Sequence, residues 1–393
     1  MNQIRSRLAD LVRQQRERMT AGSAPAATEA DLTELTDFGA NPGALRMLTY
    51  LPPGLQRGAP LVVALHGCTQ TAAGYAQGSG WTSLAATGGF ALLLPEQRQA
   101  NNPNRCFNWF ESGDTTRGQG EVASIRAAIA HLVTAQGIDP ARIFVTGLSA
   151  GGAMTTSLLA TYPEVFAAGA IIAGLPHGAA AGMAEAFEAM GTGRPKPAAE
   201  WAALVRAASS HRGPWPRVSV WQGDADTTVR PANAEQILRQ WAALHGTGGT
   251  PEASGSGNRR SLAWRGAGGA VVLEHHAIAG MAHGVPIDPA RLGSVAPYFL
   301  PVGIASTAEI AGFFGLPVEL PAAADATTAA TATAATDAKP AGTQAAGSKT
   351  IDQDGTPVPE ADDGFSLGGI KLTSIDPNGV IRKALTAAGL MKG

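Results

Sequence analysis

Charge is scarce in this chain of 393 residues: only 15% of them are charged, and the net charge is −2 at pH 7. A chain without a basic excess lacks what nucleic-acid binding requires, so no nucleic acid is expected as a partner. Long apolar runs are lacking too, since stretches such as FALLLP and AGAIIAG fall far short of the ~20 residues that cross a bilayer. We therefore expect no transmembrane segment, and these runs suit buried strands instead.

Cysteine is nearly absent as well, and the two that occur, Cys68 and Cys106, are too few for a structural zinc site. The N-terminus, MNQIRSRLADLVRQQRERM, has no continuous apolar stretch and no small-residue cleavage site of the kind that marks a secretory signal. The sequence therefore predicts a cytoplasmic protein, with secretion by another route as the alternative. Free thiols are the default expectation there, because cytosolic disulfides are uncommon.

Residues 1–39 lead into the main part of the chain. Ile4, Leu8, Leu11 and Val12 fall at helical spacing among arginines, which predicts an amphipathic, basic helix. Packing of this helix on the main domain is one interpretation, and docking on a surface is the other.

Residues 40–316 alternate strand-like and helix-like segments. Apolar runs such as LVVALHG, RIFVTG and FAAGAIIAG are typical of buried strands, and GEVASIRAAIAHLVTAQG carries an apolar stripe at helical spacing. A final helix is expected to open with a capping box, Ser306-Thr307-Ala308-Glu309. The alternation predicts a single domain of the α/β class, in which helices cover both faces of a mostly parallel central sheet.

The composition changes sharply near Leu320. Over residues 317–350 Ala, Thr, Gly and Pro come to dominate, which predicts a disordered linker. Residues 351–393 regain apolar side chains, and Asp376-Pro377 is a favourable helix start, so a short helical tail is predicted. About forty residues hold no core of their own. We therefore expect the tail to dock on the main domain, on a partner chain or on a surface.

The segment Gly147-Leu148-Ser149-Ala150-Gly151 matches the pattern Gly-x-Ser-x-Gly. It directly follows the strand RIFVTG, and a helical stretch begins behind it, which is the context of a nucleophile elbow. Such an elbow holds its serine at strained backbone angles, and glycines two positions to either side avoid a clash. We therefore predict Ser149 as a catalytic nucleophile at a helix N-terminus, which favours developing negative charge.

A serine hydroxyl needs a base, and the base needs an acid that orients it. In sheets of this type the chain order is serine, acid, histidine. Asp226, on the loop after the strand VSVWQG, is the favoured acid, whereas Asp224 is better placed to structure the turn. His283, on a loop of small residues after VVLEHHAI, is the predicted base. The other histidines precede the acid or lie within helices and strands: His66, His131, His177, His211, His245, His275 and His276.

An oxyanion hole needs two backbone N–H donors. One is predicted at Ala150, the residue after the nucleophile, and the other at Cys68 or Thr69, on the loop after the strand LVVALHG. Gly67 permits a tight turn at that point. His66 ends the strand and is expected to brace this loop rather than to transfer protons.

Five motifs, HGCTQ, CFNWF, GLSAGGAM, GDADTTV and GMAHGVP, follow one another in this order. Together they resemble the polyhydroxybutyrate depolymerase family of esterases, an α/β-hydrolase group that also includes feruloyl and acetylxylan esterases. The resemblance covers about residues 40–316, and the N-terminal helix and the tail lie outside it. It implies an α/β-hydrolase catalytic domain and a serine esterase with Ser149 as nucleophile, Asp226 as acid and His283 as base.

The resemblance also bears on the two cysteines and on one aromatic residue. In such enzymes a cysteine of the oxyanion loop is often bridged to a second one, which implies a bond between Cys68 and Cys106, in conflict with the free thiols of a cytoplasmic protein. Trp109 resembles the family's aromatic residue near the pocket, where it would pack against an acyl chain. Core packing of Trp109 is the alternative.

The function that follows is carboxylic ester hydrolysis through an acyl-enzyme, a reaction that requires no metal or organic cofactor. The family resemblance points to poly(3-hydroxybutyrate) or hydroxyalkanoate oligomers as the ester or polyester substrate, and feruloyl or acetyl esters are an alternative. A serine peptidase is a second alternative, because the same triad cleaves peptides. A third is a granule-binding protein without turnover, in which the tail attaches to a polymer-granule surface.

Overall fold

The computed structural model describes residues 31–247 and 249–320. The predicted N-terminal helix, most of the predicted linker over 317–350 and the whole predicted tail over 351–393 lie outside these residues. All described residues belong to one unit of the chain.

Within residues 31–247 and 249–320, ten strands form one sheet, in the order β1-β2-β4-β3-β5-β6-β7-β10-β9-β8, and two more form a small separate sheet, β11-β12. The strands are β1 (Thr33–Glu34), β2 (Arg46–Tyr50), β3 (Leu61–Leu65), β4 (Ala91–Glu96), β5 (Ile143–Leu148), β6 (Ala168–Ile172), β7 (Arg217–Gly223), β8 (Glu252–Ser256), β9 (Arg259–Arg265), β10 (Val271–Ile278), β11 (Val285–Ile287) and β12 (Phe299–Pro301).

The centre of the large sheet is parallel and its edges are antiparallel. From β4 to β10 all neighbouring strands run in the same direction. Antiparallel pairs extend the sheet through β2 and β1 on one side, and through β9 and β8 on the other. All residues of β3, β5 and β6 are buried, as expected for central strands covered on both faces.

Nine helices flank the described strands: α1 (Ala72–Ser79), α2 (Trp81–Gly88), α3 (Ser112–Thr115), α4 (Gly120–Gln136), α5 (Ala150–Thr161), α6 (Met183–Thr192), α7 (Ala198–Ala208), α8 (Ala232–His245) and α9 (Ser306–Phe314). Within the described parts of the chain, none of them has the length and apolarity needed to span a bilayer.

Helices lie on both faces of the sheet, as the alternation of segments predicts. Phe314 of α9 stacks on Phe144 of β5 with ring centroids 4.7 Å apart. Phe144 pairs with Ala168, so Gly169 faces the opposite side, where a Cβ on it would lie 2.6 Å from Leu159 of α5. The expected α/β architecture is therefore confirmed.

The expected capping box at the start of α9 is wrong. The Ser306 hydroxyl donates to the Pro286 carbonyl at 2.6 Å, and Ala305 rather than Ser306 is the N-cap residue. The serine thus joins α9 to β11 instead of capping its own helix, because a carbonyl distant in sequence competes for the hydroxyl.

Parallel strands bring their carboxyl ends to one edge of a sheet, and this places the candidate site. The loop after β3 carries Cys68, the turn after β5 carries Ser149, the loop after β7 carries Asp226, and the loop after β10 carries His283. Since β3, β5, β6, β7 and β10 are consecutive neighbours in the sheet, these loops lie side by side.

Candidate active site

Ser149 occupies a sharp turn between β5 and α5. Its backbone angles are φ 58° and ψ −118°, a conformation that is strained for a residue with a side chain. A Cβ on Gly147 would lie 2.4 Å from the Gly151 carbonyl oxygen, and a Cβ on Gly151 would lie 2.4 Å from the Leu65 carbonyl oxygen. Both glycines are therefore required by close backbone contacts, as the elbow pattern predicts.

The Ser149 hydroxyl does not cap the helix that follows it. Serine at an N-cap ordinarily accepts a hydrogen bond from an amide of the first turn, but Ser149 makes no such side-chain cap. Ala150 is the first residue of α5, and its N–H belongs to the first four, which have no acceptor inside the helix. The turn thus presents a hydroxyl beside an amide donor at the positive end of a helix.

His283 and Asp226 form a buried pair. Nδ1 of His283 lies 2.7 Å from Oδ2 of Asp226, and the two residues are only 2% and 1% exposed. An ionised carboxylate can only accept hydrogen bonds, so Nδ1 carries the proton and donates the hydrogen bond to Asp226. Nε2 is therefore left with its lone pair to accept a proton.

Three further donors hold the Asp226 carboxylate in place. The amides of Thr228 and Val229 donate to Oδ1 at 2.8 and 2.9 Å, and the side chain of Gln222 donates to Oδ2 at 3.1 Å. Sequence reasoning missed Gln222, which orients the acid from the end of β7. Its position directly before Gly223-Asp224 is the only local signal, and it does not reveal where the side chain points.

The structure brings Ser149 to the same sheet edge as the His283–Asp226 pair. Along this edge β6 and β7 separate β5 from β10, and the Ser149 amide donates to Ile172 at the end of β6. Among the described residues, the Ser149 hydroxyl forms no hydrogen bond with the His283 ring. Catalytic hydrogen bonds of this kind are often long without substrate and tighten in the complex.

Asp224 has a different environment from Asp226. It is exposed, and its Oδ1 accepts the Gly280 amide at 2.6 Å, while its own amide donates to the Ile278 carbonyl at 3.1 Å. These bonds fix the turn that leads from β10 to His283. The expectation that Asp224 structures the turn is confirmed.

The two candidate amides of the oxyanion loop, those of Cys68 and Thr69, have different hydrogen-bond partners. The Thr69 amide donates to the Asn104 carbonyl at 2.7 Å, so it is not free for a substrate. In the described part of the chain the Cys68 amide has no acceptor. Of the two amides, that of Cys68 is the one left without an acceptor, and it stays the predicted second donor beside Ala150.

Cys68 and Cys106 are joined by a disulfide, so the expectation of free thiols is wrong. The bond ties the oxyanion loop to the loop after β4 and closes a segment of 38 residues. It agrees with the pairing that the family resemblance implies.

We expect the double substitution Cys68→Ala/Cys106→Ala to lower the free energy of unfolding by ~4 kcal/mol, because the unfolded chain regains the entropy of a 38-residue loop. Urea unfolding followed by tryptophan fluorescence, with and without reductant, measures this difference. Reductant should destabilise the wild type and leave the variant unchanged. Equal midpoints for the unreduced wild type and the variant would contradict the expectation.

His66 braces the oxyanion loop, as predicted. Its Nδ1 donates to the Gly67 carbonyl at 2.7 Å, and its Nε2 accepts the Gln97 amide at 3.1 Å. Burial lowers the pKa of His66 to about 4, so the ring is neutral near pH 7. Both ring nitrogens form hydrogen bonds with backbone groups, so neither is available for proton transfer.

Trp109 lies in the core. It is 8% exposed, belongs to the main cluster of buried apolar residues, and meets Phe110 edge to face at 5.5 Å. These contacts are those of core packing, and contact of Trp109 with an acyl chain stays a prediction.

A second serine–histidine–carboxylate cluster lies on the sheet itself. The Ser261 hydroxyl is 2.8 Å from Nδ1 of His276, and Nε2 of His276 is 3.1 Å from Glu274. Ser261 lies inside β9, which pairs with strands on both sides. It therefore has neither an elbow nor a helix N-terminus beside it, and this cluster lacks an oxyanion hole.

The large, mostly parallel sheet, the elbow and the histidine–aspartate pair are those of an α/β-hydrolase. Among solved structures, an acetyl xylan esterase from Aspergillus awamori matches with a TM-score of 0.62 and 26% identity, over 72% of this chain and 98% of that one. The family model described as Esterase PHB depolymerase matches residues 45–263. The chain belongs to this esterase family.

Relatives in this group include two kinds of esterase. Poly(3-hydroxyalkanoate) depolymerase C of Paucimonas lemoignei is 45% identical over 291 residues, which are 72% of this chain and 70% of the relative. Feruloyl esterase B of Thermothelomyces thermophilus is 35% identical over 233 residues, 58% of this chain and 79% of the relative. The protein is a carboxylic ester hydrolase.

Proposed function

We propose that this hydrolase cleaves the ester bonds of poly(3-hydroxybutyrate) or of hydroxyalkanoate oligomers, with Ser149, His283 and Asp226 as its catalytic triad. The observation that carries the triad is the buried His283–Asp226 pair on loops at the sheet edge where Ser149 sits in its elbow. The substrate rests on the 45% identity with a poly(3-hydroxyalkanoate) depolymerase, which exceeds the 35% identity with a feruloyl esterase.

In the first half of the reaction, Ser149 Oγ attacks the ester carbonyl carbon while Nε2 of His283 takes the hydroxyl proton. Asp226 stabilises the imidazolium that forms. The negative charge on the carbonyl oxygen is received by the amides of Ala150 and Cys68, each worth roughly 3 kcal/mol in the transition state. His283 then returns its proton to the departing alcohol oxygen, and the acyl group remains on Ser149.

In the second half, water takes the place of the alcohol. His283 removes a proton from the water, whose oxygen attacks the acyl carbon, and the same two amides hold the second oxyanion. Collapse of this intermediate releases the carboxylic acid and restores the Ser149 hydroxyl with the proton from His283. The sequence of steps balances without a metal or an organic cofactor.

Feruloyl or acetyl esters are the second candidate substrates, favoured by the feruloyl esterase relative and by the acetyl xylan esterase structure.

The Cys68–Cys106 bond supports an oxidising compartment for the protein. It therefore favours secretion by another route over a cytoplasmic location. Attachment to a polymer granule through residues 351–393 lies outside the described residues and stays a prediction.

The substrate is tested with methyl 3-hydroxybutyrate oligomers, whose internal esters are the bonds of the proposed polymer, and with methyl ferulate and methyl acetate as the competing acyl groups. We expect kcat/KM to be at least about 10-fold higher on the hydroxybutyrate oligomers, since one well-filled acyl pocket discriminates by ~1–3 kcal/mol. Release of 3-hydroxybutyrate from a suspended polymer is measured in parallel.

Ser149→Ala serves as the blank for every substrate, and a peptide anilide tests peptidase activity. A higher kcat/KM on methyl ferulate or methyl acetate would overturn the polyester assignment in favour of the second candidate. Polymer binding without release of any acid would favour the granule-binding interpretation.

A further inference from the structure

We infer that Glu121 and Gln97 are positioning residues of the oxyanion hole, which hold the Cys68 amide where the developing negative charge will be. The inference rests on the proposed function, because it assumes that the Cys68 amide is one of the two donors. Neither residue was predicted from the sequence.

Glu121 is a fully buried carboxyl group that forms no ion pair with any described residue. It is 0% exposed, in the first turn of α4, and among the described residues no Lys, Arg or His side chain forms an ion pair with it. Burial raises the pKa of Glu121 well above its ordinary value, and the nearby Asp114 carboxylate adds to this effect. A buried carboxyl without an ionic partner lowers stability, so its presence points to another role.

All the hydrogen bonds recorded for the Glu121 carboxyl reach toward the loop after β4. The Asn108 amide donates to its two oxygens at 3.2 and 3.0 Å, and the Gln97 side-chain amide donates to Oε1. Asn108 is two residues after Cys106, the cysteine bonded to Cys68. The carboxyl group therefore holds the backbone next to one end of the disulfide.

Gln97 connects Glu121 to the oxyanion loop in two ways. Its side chain also donates to the Cys106 carbonyl at 3.1 Å, and its backbone amide donates to Nε2 of His66 at 3.1 Å. His66 in turn donates to the Gly67 carbonyl, next to Cys68. Gln97 is 1% exposed, and its Oε1 accepts two more hydrogen bonds, so its side chain has a single orientation.

The Cys68 amide is thus held from two directions. The disulfide fixes its side chain to the Glu121-bound loop, and the ring of His66 fixes the peptide before it. Because an oxyanion donor acts only at hydrogen-bond distance from the charge, a shift of about 1 Å at Cys68 is enough to lower kcat about 10²-fold.

The test compares Glu121→Ala, Glu121→Gln and Gln97→Ala with wild type on methyl 3-hydroxybutyrate oligomers or on whichever ester the wild type hydrolyses best. We expect Glu121→Ala and Gln97→Ala to lower kcat by about 10- to 100-fold and to change KM less than about 3-fold, because the donor acts in the transition state. Glu121→Gln keeps one carbonyl oxygen for the Asn108 and Gln97 amides but turns its NH₂ group toward the Asn108 N–H, so it should recover kcat only in part.

A trifluoromethyl ketone inhibitor provides a second readout, because its adduct with Ser149 carries the same oxyanion. We expect its inhibition constant to rise by the same factor as kcat falls. Inhibition by the product alcohol, which carries no anionic oxygen, should change less than about 3-fold.

Gln240→Ala is the matched control for Gln97→Ala. Gln240 is also fully buried, and its side chain also donates to two carbonyl oxygens, those of His177 and Trp201, at 3.0 and 3.2 Å. It should lower the thermal midpoint as Gln97→Ala does, while kcat stays within about 2-fold of wild type. An equal fall of kcat in both variants would overturn the inference, because it would reflect general destabilisation.

The failure of this inference differs from the failure of the proposed function. If Ser149→Ala is inactive while folded Glu121→Ala and Gln97→Ala keep the kcat and the ketone affinity of wild type, only the positioning role is wrong. If Ser149→Ala retains activity, the proposed function itself is wrong. Should Glu121→Ala fail to fold, the kinetics of Gln97→Ala alone test the inference. That variant keeps the backbone bond from residue 97 to His66 and loses only the side-chain bonds.

Discussion

Ser149→Ala is expected to lower kcat on a soluble hydroxybutyrate ester by about 10⁶-fold, to the level left by the oxyanion donors and substrate binding alone. The large effect follows from the mechanism, because without the hydroxyl no acyl-enzyme forms and His283 has no proton to move. Steady-state hydrolysis of a p-nitrophenyl ester, with trapping of the acyl-enzyme by mass spectrometry, measures it. The wild type should carry one acyl group and the variant none.

Ser261→Ala is the control that the fold itself supplies. Ser261 also meets a histidine that meets a carboxylate, yet it lies within a strand without an elbow or a helix N-terminus. Replacing Ser261 with alanine should leave kcat within about 2-fold of wild type, because this half-buried hydrogen bond contributes only to stability. Loss of activity in Ser261→Ala with activity retained in Ser149→Ala would reverse the assignment of the nucleophile.

Features that depend on a few adjacent residues could be predicted from the sequence. The elbow requires glycine at 147 and 151 because other backbone passes within 2.4 Å of where a side chain would begin. The five consecutive residues 147–151 are therefore enough to predict the elbow. The positions of the buried strands along the chain could be predicted in the same way, because each central strand is a short apolar run.

Features that depend on distant partners could not be predicted. Glu121 looks like an ordinary acidic residue in the first turn of a helix, and its contact Gln97 lies 24 residues earlier. The choice between Cys68 and Thr69 is of the same kind, since it is decided by the Asn104 carbonyl from another loop. Helical periodicity shows which face of α4 is buried, and it does not identify the atoms that meet that face.

In the sequence, only their positions on the loop distinguish the two aspartates after β7 as catalytic acid and turn residue. The structure gives the physical reason for the difference. Asp226 is buried and accepts hydrogen bonds from His283, Gln222 and the amides of Thr228 and Val229. Asp224 is exposed and holds the turn before His283 through Gly280. The two carboxylates thus act on the same histidine in different ways, one on its ring and one on its loop.

Asp226→Asn is accordingly expected to lower kcat by about 10⁴-fold with little change in KM. The asparagine oxygen would remain with the amides of Thr228 and Val229, which places its NH₂ group against Nδ1 of His283. Nδ1 would then have to accept a hydrogen bond, so the ring proton would move to Nε2. In that tautomer the histidine cannot take the proton of Ser149.

Asp224→Asn is the matched substitution, two residues away and identical in chemistry. The asparagine oxygen can still accept the Gly280 amide, so kcat should fall less than about 10-fold. Steady-state kinetics on one p-nitrophenyl ester compares the two variants, and the histidine ring-proton resonance in each reports whether the tautomer has changed. A larger loss in Asp224→Asn than in Asp226→Asn would show that the acid of the triad had been misassigned, because only the residue that accepts the Nδ1–H hydrogen bond controls the tautomer.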